Sequence, residues 1–127
     1  MDSSDRLQAA RDVRRAVLGD EYVDGQTAEP NPALQEFQDH ITAAAWGAWA
    51  RGGALTPRDR SLLVLAMTAA LGRMEEFRLH AGARRRTGAT DDELDELLFM
   101  IAGYCGVPAG VAAKRALGEV RAAERGA

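Results

Sequence analysis

The stretch GRMEEFRLH, Gly72 to His80, gathers three side chains able to bind an anion and move a proton. Glu76 lies four residues before His80 and three after Arg73, a spacing that puts all three on one face of a helix. Histidine exchanges protons near neutral pH, and a carboxylate one turn away can fix its tautomer and raise its pKa. An arginine on the same face could hold an anionic substrate by paired hydrogen bonds. A second reading is open. Acids in a first helical turn suit the helix dipole, and Glu–His pairs at this spacing are common surface decoration. Spacing alone favours that second reading.

Other candidates surround this trio. Arg58 and Arg60 fall in the first turn of the helix that begins PRDRSLL. Basic residues there oppose the dipole, so a carboxylate held at that end would explain them. An ion pair with Asp59 or another acid, or a subunit contact, would explain them too. Tyr104 and Cys105 lie in GYCGVPAG, where glycines flank the end of one helix and the start of the next. Backbone amides at such a start can approach an anion, but chain breaking is the simpler account. Cys105 reads as a small buried hydrophobe rather than a nucleophile. Trp46 and Trp49 suit core or interface, with Trp46 a candidate apolar wall. The run Arg84–Arg86 reads as the basic last turn of a helix. His40 and His80 are the only histidines and show no metal-ligand spacing, so no metal site is expected.

The elements that must carry these residues all have helical period. Leu7, Ala10, Val13, Val17 and Leu18 form the stripe of a helix over 4–18 that Gly19 can end. Residues 20–32 form a long connection rich in turn formers. A second helix starts near Pro32 and breaks at RGG, 51–53. Thr56, Pro57 and Asp59 then resemble a capping box, and Gly72 suits the position after the helix end. Residues 73–87 read as one further helix. Thr90 and Glu93 form a second capping box, Gly106 and Pro108 punctuate, and a last helix spans roughly 108–123. The expected fold is all-α, one compact domain over 1–127 with about six helices. The two helices RSLLVLAMTAAL and ELDELLFMIAGYC lack polar faces, which points to homo-oligomerisation.

Composition excludes several classes. Hydrophobic residues make up 46% of 127, enough for a core. The 16 basic residues are outnumbered by 19 acidic ones, so nothing suggests nucleic acid as a partner. The chain has no apolar run long enough to span a membrane, and its opening MDSSDRLQAARDVRR lacks the apolar core of a signal peptide. A cytoplasmic protein is expected. One cysteine excludes an internal disulfide framework and a Cys-x-x-Cys redox pair.

The ordered set EFQD, WG, RSLL, AM, RLH and YCGVPA closely resembles the carboxymuconolactone decarboxylase family, over most of the chain. The resemblance extends to a wider helical superfamily of alkyl-hydroperoxidase-D-like proteins. In those peroxidases a Cys-x-x-Cys precedes the histidine that matches His80; here Arg73 and Glu76 stand at those positions. Thiol peroxidase activity is therefore not expected.

The resemblance implies the conversion of 4-carboxymuconolactone to 3-oxoadipate enol-lactone and CO2, in the protocatechuate branch of the β-ketoadipate pathway. It also implies no cofactor and a homo-oligomer, commonly a hexamer. The departing carboxylate sits on a ring carbon joined through a double bond to the lactone carbonyl, so the electron pair left by CO2 can form a dienolate. The protein must stabilise that oxyanion and protonate the ring carbon beside it. His80 would be the proton donor or the hydrogen-bond donor to the lactone oxygen, with Glu76 orienting it. Arg73, Arg58 or Arg60 would bind the carboxylate that stays, and Trp46, Tyr104 and Cys105 would line the pocket. Two alternatives are a related lactone or oxo-acid enzyme on this scaffold, and a non-catalytic helical oligomer that binds a small acid.

Overall fold

The computed structural model describes residues 2–126, and every regular element among them is helical. The all-α fold class holds. The chain's internal contacts group into two compact units, with the boundary between Thr56 and Pro57.

The first unit holds α1 (Ser3–Leu18), α2 (Asp20–Asp24) and α3 (Pro32–Ala50). Asp2 caps α1 by accepting from the Asp5 amide at 2.9 Å, and Gly19 ends it at φ 88°, a conformation glycine adopts without strain. The short α2 lies inside the connection that the sequence leaves irregular. Arg15 holds it to α1, reaching Asp20 at 3.1 Å and Asp24 at 2.7 Å. Asn31 caps α3, accepting from the Ala33 amide at 2.9 Å, and Pro32 occupies the first turn. Arg11 on α1 pairs with Asp39 on α3 at 3.0 Å.

The second unit holds α4 (Pro57–Ala70), α5 (Met74–Gly82), α6 (Arg84–Thr87), α7 (Asp91–Cys105) and α8 (Val107–Arg125). Its core joins Leu65 and Ala69 of α4, Phe77 and Ala81 of α5, Leu94 and Ile101 of α7, and Ala113, Ala116 and Leu117 of α8. Each large aliphatic or aromatic side chain so buried stabilises the fold by about 1.5–3 kcal/mol. The α4–α5 link closes as the sequence predicts. Gly72 sits at φ 72°, its amide donates to the Ala69 carbonyl, and the Arg73 amide donates to the Thr68 carbonyl, the paired bonds of a Schellman motif. The Thr90–Glu93 capping box forms with both of its bonds. The α7–α8 corner turns at Gly106 (φ 102°), and α8 runs slightly longer than expected at both ends.

Residues 73–87 do not form one helix. Arg73 stands before α5 at φ −88° and ψ 72°, and the helix breaks at Ala83. The cause is Arg84. Its guanidinium turns inward and donates to the Ala81 carbonyl at 2.9 Å, the acceptor a continuous helix would give to the Arg85 amide. The Ala83 amide meanwhile tightens onto the His80 carbonyl at 3.1 Å, three residues back. Among the described residues no helix is long and apolar enough to cross a membrane.

Candidate active site

His80 lies on the inward face of α5, which also carries Phe77 and Ala81. Only 9% of its surface is exposed. Burial disfavours the imidazolium and pulls the His80 pKa below its usual 6.5; the Glu76 carboxylate one turn away opposes this and does not overcome it. The resting imidazole is therefore neutral at pH 7. Glu76 is exposed in the first turn of α5, and its charge is the one the histidine feels. These two share a helix as the spacing predicts. Arg73 does not: it precedes α5, its side chain is exposed, and among the described residues it has no ion pair.

The remaining candidates separate. Arg58 is committed to acids, pairing with Asp59 at 3.2 Å and with Glu93 in the first turn of α7. That pair ties the start of α4 to the start of α7 and explains a basic residue where the dipole does not want one. Arg60, half-buried, lies two residues further along α4. Tyr104 is 87% exposed and Cys105 is exposed as well, so neither walls a closed cavity. For Cys105 this corrects the expectation of burial: it is the last residue of α7, at the corner that turns at Gly106, and is exposed there. Trp46 belongs to the first unit, where it is buried against Trp49 with ring centroids 5.4 Å apart and planes tilted by 39°. Among the described residues no group of acids, histidines and cysteine is placed to hold a metal ion.

Sequence reasoning missed Arg84. It is 1% exposed, donates through Nε to Asp91 at 2.8 Å, and grips Glu124 with both terminal nitrogens at 2.8 and 2.9 Å. The guanidinium holds both carboxyls below their usual range. This pins the end of the His80 segment to the start of α7 and the end of α8. The signal was present: Phe77, Ala81 and Arg84 continue one inward stripe at i, i+4 and i+7.

Residues 35–119 match the sequence pattern of the Carboxymuconolactone decarboxylase family. The chain belongs to that family. It is 39% identical over 121 residues to the 4-carboxymuconolactone decarboxylase of Acinetobacter baylyi, covering 94% of this chain and 90% of that one. It is also 36% identical over 102 residues to the nitrosuccinic acid decarboxylase npaB of Metarhizium robertsii, covering 80% and 71% of the two chains. A 4-carboxymuconolactone decarboxylase of Pseudomonas putida is 47% identical over 47 residues, 37% of this chain and 98% of that one. No solved structure matches the chain. As a family member it carries its one buried histidine, His80, inside the matched segment.

Proposed function

We propose that this protein decarboxylates 4-carboxymuconolactone to 3-oxoadipate enol-lactone and CO2, without a cofactor. The observation that carries the reading is 39% identity across 94% of the chain to a decarboxylase of that name. The buried His80, one turn from a carboxylate, is the group suited to the proton step.

The C–C bond to the departing carboxylate breaks, and its electron pair passes through the ring double bond onto the lactone oxygen. CO2 leaves, and one proton added beside the carbonyl completes the enol-lactone. His80 donates to the developing oxyanion and delivers that proton. A neutral resting imidazole suits this order. The arriving dianion favours imidazolium, so a proton is taken up with the substrate and spent on the product. Glu76 orients the imidazole. The retained carboxylate is assigned to Arg73, an assignment supported by the commitment of Arg58 to Glu93 and Asp59. Gripping the departing carboxylate would oppose its loss.

A second reading, favoured by the 36% identity to a nitrosuccinic acid decarboxylase, is a related decarboxylase acting on another acid. Nitrosuccinic acid also carries two carboxylates and its own electron sink, the nitro group, so the same donor and anchor would serve. We further propose a cytoplasmic homo-oligomer, a hexamer being what the family resemblance implies. Phe99 at 74%, Tyr104 at 87% and Val107 at 67% exposure leave the α7–α8 corner apolar and bare, as a subunit contact requires. Purified protein mixed with 4-carboxymuconolactone, followed by ultraviolet absorbance without added metal, tests the activity. Absence of turnover there, with turnover of nitrosuccinate, selects the second reading.

A further inference from the structure

Ser61 is 1% exposed, and its hydroxyl has no hydrogen-bond partner among the described residues. A hydroxyl withdrawn from water and left unmade is a cost the fold carries for a reason outside its own packing. Its position suggests the reason. The inward stripe of α4 is Ser61, Leu65 and Ala69, and the inward face of α5 is Phe77, His80 and Ala81. Leu65, Ala69, Phe77 and Ala81 pack in one cluster, so the two faces are turned toward each other. Ser61 is nine residues before the end of α4 and His80 six residues after the start of α5, across the short link at 71–73. At about 1.5 Å per residue the two stand within roughly one helical turn of the same level.

We propose that Ser61 is a positioning residue for His80: its hydroxyl reaches the imidazole across one bridging water and so selects the tautomer presented to the substrate. This rests on the reading of His80 as the proton-handling group. Serine can accept from that water or donate to it, and either bond fixes which ring nitrogen carries the proton.

The test is 15N-resolved NMR of the His80 ring in the full chain without substrate, with His40→Gln used to remove the other histidine's signals. Ser61→Ala shifts the His80 tautomer ratio, and Ser61→Thr restores it. On 4-carboxymuconolactone, Ser61→Ala lowers kcat about tenfold and leaves KM within about twofold. An unchanged His80 spectrum in folded Ser61→Ala overturns the proposal. So does failure of Ser61→Ala to fold, because a hydroxyl without a protein partner has no structural bond to lose. The NMR result stands whether or not the lactone proves to be the substrate, so the two readings fail separately.

Discussion

Replacing Glu124 with glutamine probes the bond that holds the His80 segment in place. Glu124 accepts from Arg84 Nη1 at 2.9 Å and Nη2 at 2.8 Å, and Arg84 is 1% exposed. Removing one partner of a buried pair costs about 3–5 kcal/mol, because the other charge stays buried. Two features reduce that here. Asp91 still accepts from Nε at 2.8 Å, and the Glu124 side chain is 30% exposed, so water already screens part of the pair. The expected loss is therefore about 2–3 kcal/mol, or roughly 10 °C in Tm for a chain of this size. Urea unfolding followed by far-ultraviolet circular dichroism, at one fixed protein concentration, measures it. The double variant Arg84→Met/Glu124→Gln should be more stable than Glu124→Gln alone, since it removes the stranded cation. A Glu124→Gln protein within about 0.5 kcal/mol of wild type would refute the reasoning, that being the range of ordinary surface substitutions. The pH dependence adds a check. Arg84 lowers the pKa of Glu124 from its usual 4.5, so this stability is present above 4.5 and fades as pH falls below it. The gap between the two proteins should close in the same window.

Four further outcomes are expected. His80→Ala and Glu76→Gln should each lower kcat by on the order of 10²-fold while the protein stays folded, measured by lactone turnover; near-normal turnover by folded His80→Ala removes it from the mechanism. Arg73→Gln should chiefly raise KM, whereas Arg58→Gln should lower stability through its lost pair with Glu93, and steady-state kinetics with thermal melts separate the two. His80 contributes stability fully present above its usual pKa of 6.5 and lost as pH falls below it, because the folded pKa is depressed; His80→Gln should flatten the stability curve below that pH. Gly110→Ala should destabilise by about 1–3 kcal/mol, since an added Cβ would lie 2.7 Å from that of Ala102.

Much of the fold was legible because the punctuation is local. Gly19, Gly72, Gly88 and Gly106 all take positive φ, and each ends a helix where its position in the sequence puts it. Asn31 and Thr90 cap their helices through their own side chains. What stayed hidden was set by contacts distant in sequence. The break at Ala83 follows from a guanidinium that meets Glu124, forty residues away. Propensity reads RRRT as one more helical turn, and no window centred there contains the acid that draws the first arginine inward. The small α2 is similar in kind: five residues, three of them acids, are too few to show a period, and Arg15 fixes them from the preceding helix.

The candidate site was legible in its chemistry and less so in its charge. Spacing correctly joined Glu76 to His80, yet implied that the carboxylate would set the histidine's pKa. Depth reverses that. Phe77 and Ala81 beside it, at 1% and 0% exposure, mark a face closed to water, where desolvation outweighs an exposed carboxylate one turn away. A periodicity argument gives each side chain a direction but not the thickness of protein above it. The consequence is mechanistic. In the proposed mechanism an imidazole neutral at rest would not wait as a charged acid; it would take up its proton when the dianion arrives, linking the acid to the presence of its substrate. The arginines show the complementary limit. Arg58, Arg60 and Arg73 are equivalent on composition, and the pairing of Arg58 with Glu93, which marks it as a helix tie, is visible only in the fold. Ser61, which no motif singles out, matters for the same reason: its burial without a partner is visible only once α4 and α5 are folded against each other.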